Sequence, residues 1–458
     1  MNRTLYCLLV FPLSVFSQQI DSLDWFIQKQ VADYKIPALA IGVIKNNEVV
    51  FSKGYGVMKD STPVTSESVF PIMSCTKAFT ATAVGILVDE GKIKWDDKVT
   101  RYLPDFKLSD PAVTKQITIR DLLTHRSGLE SYEGDLLWYG TDYTRDEIVK
   151  RIKYSPLKNK FRKQYGYQNI MYLVAGQIIE KVTGKKWEQF IKERILEPLE
   201  LNSTQTTEYL YNIAPAGALH SNIHDMLTWM KLWMNDGTSN KKSILSRHSF
   251  DAITSPYIFI TDKKDVSYGM GWQIESDKNN KIISHGGGMP GFKSLITIDI
   301  KHKTGIVILT NKITYLNEEL TGIIMEYLRS DQMNWIEKDK SLLTKNIRFG
   351  WDDDKNYYHQ PAPEFEEYTG EYEDRQYGKT IIRKEGDTAV IEFLPASKQY
   401  KGYLTYVNTD TLHIDFSDAF MPSGNIIFKR KNNKINGFIF DIPPGDFIFS
   451  NFSFVRKN

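Results

Sequence analysis

Phe70-Pro71-Ile72-Met73-Ser74-Cys75-Thr76-Lys77 leads directly into Ala78-Phe79-Thr80-Ala81-Thr82-Ala83-Val84-Gly85-Ile86-Leu87-Val88-Asp89-Glu90. From Met73 onward apolar residues fall on nearly every face of a 3.6-residue period, the mark of a helix enclosed by a domain rather than laid on its surface. Gly91 closes it as a C-terminal cap. In a helix that starts at Ser74, Lys77 lies three residues on and shares its face, so an amine stands beside a hydroxyl at the helix N-terminus. A free serine hydroxyl is a poor nucleophile; a lysine whose pKa is lowered by burial can take its proton. The helix dipole and free N–H groups there also favour developing negative charge. Cys75, one residue on, points about 100° away and is assigned to packing.

Working outward, residues 20 to 34 carry an amphipathic helical pattern with Ile20, Leu23, Phe26, Ile27 and Val31 on one side. Ala38 to Ile44 and Glu48 to Gly54 flank the turn Lys45-Asn46-Asn47 and read as a hairpin. Ile117 to Leu129 reads as a short N-capped helix that stops at Gly128, and Ile170 to Val182 as a long one ended by Thr183-Gly184. Further helices fit 187 to 196 and 223 to 235. Tyr268 to Ile274, Ile282 to Gly288, Leu295 to Ile300 and Gly305 to Thr310 read as antiparallel strands. Strands at both ends with helices between give an α+β domain: an antiparallel sheet drawn from both ends of the segment, flanked by helices, plus an all-helical region.

After about Phe349 the composition changes. Trp351 to Asn356 and His359-Gln360-Pro361-Ala362-Pro363 suit a linker, here placed at 346–363. Short alternating strands follow over 380–383, 389–394, 411–416, 426–429, 435–441 and 447–454, with turns at Asn432-Asn433 and Pro444-Gly445: a small all-β barrel or sandwich over 364–458. The linker composition predicts few contacts between the two parts.

At 458 residues, 41% hydrophobic and 25% charged, the chain is long enough for two domains. Its net charge of +2 gives no electrostatic ground for binding nucleic acid or an anionic membrane. Met1-Asn2-Arg3 followed by the apolar run Leu5 to Phe16 reads as a signal peptide over 1–17, so the mature protein is expected outside the cytoplasm, periplasmic or secreted. That run is too short to span a bilayer. Cys75 has no partner once Cys7 is removed, so no disulfide is expected.

Ser-x-x-Lys also occurs as Ser155-Pro156-Leu157-Lys158, but in a polar, basic stretch beside a proline. Tyr167-Gln168-Asn169 precedes the Ile170 to Val182 helix; Tyr315-Leu316-Asn317 and Tyr406-Val407-Asn408 share its pattern but not its position. For a third element, Lys303-Thr304-Gly305 sits between two apolar runs and is explained as a hairpin turn. His285-Gly286-Gly287 ends a strand where glycines let a substrate approach the backbone. It is the preferred choice.

Together, in that order, Ser74-Cys75-Thr76-Lys77, Tyr167-Gln168-Asn169 and His285-Gly286-Gly287 resemble the serine β-lactamase-related family, which includes class C β-lactamases, D-alanyl-D-alanine carboxypeptidases, D-aminopeptidases and esterases. Leu122 to Leu129, Tyr268-Gly269-Met270-Gly271-Trp272 and His285 to Phe292 are also similar to it. The resemblance covers about residues 20 to 345, within a catalytic domain placed at 18–345, and implies a β-lactamase/transpeptidase-like fold. The tail resembles the lipocalin-like β domain appended to such hydrolases. The resemblance implies acyl transfer through an acyl-enzyme on a small-molecule or peptide substrate, with neither metal nor cofactor. Ser74 would be the nucleophile, and Lys77 and Tyr167 would share general-base and general-acid work. Asn169, His285 and Gly287 would bind substrate, and the backbone N–H groups of Ser74 and Gly288 would form the oxyanion hole. One departure is Phe161-Arg162-Lys163-Gln164 in place of the Pro-Gly expected before the tyrosine.

His285 stands where many relatives of this resemblance carry lysine. With an unperturbed pKa of about 6.5 a histidine is mostly neutral at pH 7. That predicts an esterase or an amidase/D-aminopeptidase that disfavours carboxylated substrates, less so as pH falls toward 5.5. The alternatives are a β-lactamase or D-alanyl-D-alanine carboxypeptidase and, from another class, a catalytically silent binding or sensor relative.

Overall fold

The run Ala38-Leu39-Ala40-Ile41-Gly42-Val43-Ile44 is apolar on both faces of its pleat, as a strand covered on both sides must be. In the structure, a computed structural model, it is the strand Ala38–Lys45. Leu39, Ile41 and Val43 pack with Leu23, Phe26 and Ile27 of the helix Leu13–Asp33 and with Leu320 and Ile324 of the helix Leu316–Ser330. Ala38, Ala40 and Ile44 join the other core, toward the helix Ile223–Met234. Gly42 lets that helix approach: a Cβ there would lie 2.6 Å from Ile223. The structure describes residues 13–457 apart from 209, 240–241, 278–279, 331–334, 344–364 and 444. Most of the predicted signal segment and all of the predicted linker lie outside the described residues.

The sheet has eight antiparallel strands. Across it run 48–56, 38–45, 304–310, 292–299, 280–289, 273–277, 266–268 and 258–259. The two N-terminal strands therefore pair onto the C-terminal ones, with Leu39 opposite Thr310 and Ile44 opposite Gly305. Between the sheet and the all-helical region runs the helix Thr76–Asp89, whose residues Thr76 to Leu87 are all buried. Phe79 stacks on Trp229 at 3.7 Å. Its interior threonines are hydrogen-bonded rather than stranded: Thr80 donates to Pro215 O at 2.6 Å and accepts from Trp187 Nε1, and Thr82 donates to Ala78 O.

The helix differs from expectation at its start. Met73–Cys75 is a 3₁₀ turn, and α-helix begins at Thr76. The cause lies just upstream: Phe70–Pro71 pairs with Leu219–Ser221, Ile72 N–H bonds Leu219 O, and the chain turns out of this small sheet through Met73 at φ +47°. A side chain in that region costs on the order of 1 kcal/mol. The predicted helix over 117–128 is likewise shorter, Ile119–Leu123, with a capping box between Thr118 and Asp121. His125, at φ +55°, ends it before Gly128.

Residues 370–456 form a closed, eight-stranded antiparallel barrel. Asn432 and Asn433, both at positive φ, make the predicted turn between Gly424–Lys431 and Lys434–Asp441. Two strands, Gly370–Asp374 and Lys401–Asn408, were not foreseen, because their alternation is interrupted by charged and polar residues. The strand predicted over 447–454 is confined to Ser453–Arg456; the aromatic residues before it pack as a loop. Inside the barrel, Phe393, Phe416, Phe438, Phe440 and Phe454 form a chain of ring contacts between 4.7 and 6.1 Å. Side chains fill this interior.

The expectation of few contacts between the two parts does not hold. Tyr139 OH donates to Asp418 at 2.7 Å, and its ring lies 4.7 Å from that of Phe447. Asp142 N–H bonds Pro395 O, and Arg151 donates to Gln376 O. Linker composition says nothing about surfaces brought together by residues 139–155, which is why the sequence did not show this.

Candidate active site

Ser74 leaves the 3₁₀ turn at the mouth of a cavity of about 530 Å³. Lys77, three residues on, lies beneath it and is fully buried. Its Nζ is 3.1 Å from Ser74 Oγ, 2.7 Å from Asn169 Oδ1 and 3.0 Å from Ala216 O. Burial pushes the amine down to about 7, against the attraction of Asp135. Such an amine is substantially free base at neutral pH, and it touches a hydroxyl.

Tyr167 lines the same cavity as Ser74, and the Ser74 side chain is among the groups that act on its phenol. Its backbone is pinned by two contacts, N–H to Ser131 Oγ at 3.0 Å and C=O from Tyr132 N–H at 2.8 Å. Its ring lies 4.4 Å from the His125 ring, and Lys77 Nζ stands 4.7 Å from its centroid. Burial holds the phenol well above its ordinary pKa, so it is a proton donor at neutral pH rather than a phenolate. Asn169 opens the helix Asn169–Thr183, ended by Gly184 at φ +71°.

The strand Asn280–Met289 forms the opposite wall. Gly287 has to be glycine: a Cβ would lie 2.5 Å from Ile72 O and 2.8 Å from Met73 Cβ, prising this strand off the turn that carries Ser74. His285 is 3% exposed. Its Nδ1 faces Gly286 O at 2.6 Å, which can only accept, so Nδ1 carries the hydrogen and Nε2 accepts from Tyr268 OH at 2.8 Å. Burial, then the neighbouring Lys77, push its pKa down to about 3. This corrects the expectation of a histidine that gains charge near pH 5.5: the ring is neutral throughout that range.

Ser74, Tyr167, Asn169, His285, Gly287 and Gly288 thus line one cavity, with Lys77 under its floor. The rejected matches lie elsewhere. Lys303, in a hairpin turn, bonds Asn235 Oδ1, and Ser155 is buried against Glu133. Arg162 is tied to Asp121 and Gln116 O. Cys75 contacts His285 O and Ser294 Oγ, and burial pushes its thiol up to about 12.

Sequence reasoning missed three contributors. Asp135, buried in a 3₁₀ turn after Gly134, accepts from Asn169 Nδ2 and from Trp138 Nε1. Gly134 (φ +84°) has no room for a side chain, since a Cβ would lie within 2.8 Å of Ile152 and Ile170. His125, deeply buried and held neutral, accepts Gln168 N–H at Nδ1. The third is the barrel: Phe420, Asp446 and Phe447 line the cavity. For His125 the only signal was its motif, and Asp135 belongs to no spaced pattern.

A serine and a lysine one helical turn apart, a phenol in the same cavity and a glycine-backed strand across a cleft define the class, a serine hydrolase of the penicillin-recognising fold. The chain belongs to the Beta-lactamase family, whose model matches residues 23–320. It is 28% identical over 373 residues to the unguisins hydrolase ungD' of Aspergillus campestris, a match covering 71% of this chain and 66% of that protein. It is 26% identical over 345 residues to Protein flp of Staphylococcus aureus strain MW2, covering 69% and 66%. The chain thus spans slightly less than two-thirds of the length of these curated relatives. Among solved structures, the octameric penicillin-binding protein homologue from Pyrococcus abyssi superposes with a TM-score of 0.62 at 23% identity, over 95% of this chain and 100% of that one. A D-stereospecific amidohydrolase from a Streptomyces species gives 0.52 at 22%, over 64% and 94%. Both show the shared fold.

Proposed function

We propose that the protein is an exported serine hydrolase that cleaves an ester or amide through an acyl-enzyme, with amides of amine-bearing or uncharged substrates preferred. The observation that carries this reading is the desolvated Lys77 amine 3.1 Å from Ser74 Oγ. As Oγ bonds the substrate carbonyl carbon, its proton passes to Lys77 Nζ. The oxyanion is met by the backbone N–H groups of Ser74 and Gly288. Tyr167, held as a phenol, protonates the departing amine or alcohol as the carbon–leaving-group bond breaks, and recovers a proton from Lys77. Water then attacks the acyl-enzyme, loses a proton to the same base and restores Ser74. Asn169 and the neutral His285 ring shape the wall against which the substrate lies, and Gly287 lets that wall close on the turn that carries Ser74.

The substrate preference rests on the charge of the cleft. Its charged lining side chains among the described residues are Asp135, Asp446 and Lys293. Lys293 is committed to Glu318 and Thr314 O. No unpaired cation among the described residues faces a substrate carboxylate, and the structural similarity to a D-stereospecific amidohydrolase agrees with an amide substrate. Export rests on the apolar run Leu5 to Phe16 behind Arg3.

The test is a panel: D-amino-acid p-nitroanilides, p-nitrophenyl esters, nitrocefin and a D-alanyl-D-alanine peptide, with fluorophosphonate labelling to locate the nucleophile. Highest kcat/KM on D-amino-acid amides supports the reading, and highest kcat/KM on the carboxylated peptide or nitrocefin replaces it with the carboxypeptidase or β-lactamase alternative. Failure of Ser74 to label would leave the silent-relative reading standing. Cell fractionation tests export.

A further inference from the structure

Lys77 has three hydrogen-bond neighbours within 3.1 Å: Ser74 Oγ, Asn169 Oδ1 and Ala216 O. An ammonium has three N–H groups to meet them; a neutral amine has two and one lone pair. A carbonyl oxygen can only accept. If both Asn169 Oδ1 and Ala216 O take an N–H, the lone pair is left facing Ser74. If Asn169 were flipped, its NH₂ would face Nζ, draw the lone pair to itself and leave an N–H on Ser74, where it cannot act as a base.

What prevents the flip is Asp135. Its Oδ2 lies 2.6 Å from Asn169 Nδ2 and its Oδ1 2.8 Å from Trp138 Nε1. An ionised carboxylate accepts at both oxygens and donates at neither, so the Asn169 atom against it has to be the NH₂. The backbone fixes it in place, because Asp135 N–H bonds Tyr132 O and Trp138 N–H bonds Asp135 O. Burial pushes the carboxyl up to about 7 even with the two N–H donors and Lys77 opposing it, so what holds the carboxylate form here is the geometry of its partners. Both of its oxygens being met by donors, the site has no acceptor for a carboxyl proton. We propose that Asp135 is a positioning residue that locks the Asn169 amide with its oxygen toward Lys77 and thereby aims the lysine lone pair at Ser74. The inference rests on the reading of Ser74 as nucleophile and Lys77 as base.

The titratable groups around this chain are Cys75, His125, His285, Tyr132, Tyr167, Tyr172 and Asp446. Burial keeps the thiol, both imidazoles and the three phenols neutral at pH 7. Asp446, on the barrel, is the remaining charge, and it acts on Asp135 through space.

The test is an exchange of the two side chains. In Asp135→Asn the new amide must give its oxygen to Trp138 or to Asn169 and leave an NH₂ against the other, which favours the flipped Asn169. The double variant Asp135→Asn/Asn169→Asp restores every pairing: the amide placed at position 135 accepts from Trp138 and donates to the carboxylate placed at position 169, whose other oxygen accepts from Lys77. With p-nitrophenyl acetate as the probe from pH 5 to 9, Asp135→Asn is expected to lose about 10²-fold in kcat/KM, the low end of a general-base contribution. The double variant is expected to recover at least tenfold of that. Its acid limb should lie above the wild-type one, because a carboxylate in direct contact raises the Lys77 pKa; in the single variant the limb falls, because a charge has been removed. Asn169→Asp alone sets two carboxylates together and should be worse than the double variant, a comparison that serves even if Asp135→Asn does not fold.

A folded Asp135→Asn enzyme within twofold of wild type, or a folded double variant no better than either single variant, overturns the proposal. Ser74→Ala and Lys77→Met run alongside. If either retains wild-type turnover, it is the nucleophile and base reading that fails, whatever Asp135 does.

Discussion

Gln376 of the barrel donates to the hydroxyl of Ser155 at 2.6 Å in a fully enclosed position, 221 residues away in sequence. Ser155 in turn donates to Glu133 at 2.7 Å, and Asn451 donates to the second oxygen of that carboxylate. Burial pushes the Glu133 carboxyl up, and these three donors oppose that. The barrel thus supplies two of the groups that make an acidic side chain tolerable inside the molecule. Gln376→Ala is expected to destabilise the protein by about 1–3 kcal/mol, the cost of leaving buried polar groups short of a partner. Urea denaturation measures it; an unchanged midpoint would show that water replaces the amide.

The same network sets an expectation for a chain ending at residue 350. Removing the barrel strips Tyr139, Ser155 and Glu133 of the partners it supplies, Asp418, Gln376 and Asn451. The fragment 18–350 should be insoluble, or soluble with a midpoint well below that of the full chain. A fragment as stable as the full protein would make this interface incidental.

Ser74→Ala should preserve the melting temperature and lower kcat by on the order of 10³-fold or more, since a nucleophile is being removed rather than a contact. Cys75→Ala should keep most activity: the thiol is buried, contacts His285 O and is pushed up to about 12. Intact-mass detection of the acyl-enzyme in wild type and both variants reads the difference directly.

The pH dependence has a definite sign. Lys77 acts as a base only when deprotonated, so kcat/KM should rise with pH through about 7 and flatten above it. In stability terms its folded pKa lies below the ordinary lysine value. The folded state is therefore penalised progressively as pH falls from about 10.5 to about 7, and no further below that. Tyr167→Phe should lower the plateau while leaving the limb within about half a unit, because the phenol titrates far above the range.

His285 provides an independent check. Because its pKa is pushed down to about 3, the ratio of kcat/KM for a methyl ester to that for the matching acid should vary less than twofold between pH 8 and 5.5, once the substrate's own ionisation is allowed for. A ratio that collapses near pH 6 would mean that the ring titrates there. His285→Lys should shift preference toward the acid.

The sequence made the buried helix, the Ser74–Lys77 face and the sheet strands legible because each rests on a short-range pattern: a period of 3.6, a spacing of three, or alternation interrupted by a turn. The 3₁₀ turn at Met73 was not legible, since it follows from strand pairing with Leu219–Ser221, almost 150 residues away. Asp135 and His125 escaped for a related reason. Their roles arise from which side chains the fold stacks against Asn169 and Tyr167, and neither stands at a fixed interval from its partner. The His285 pKa was misjudged because an unperturbed value assumes water around the ring, and here Tyr268 OH and Gly286 O take its place.

The barrel's own interior is filled with rings, while Phe420 and Phe447 reach out of it into the wall of the catalytic cavity. Bond-breaking groups and part of the contour a substrate must fit are therefore encoded some 300 residues apart, on stretches free to drift independently. A lineage carrying this fold could change its diet by remodelling two aromatic loops while Ser74, Lys77 and Tyr167 stayed untouched, and grafting those loops between relatives is the laboratory version of that experiment.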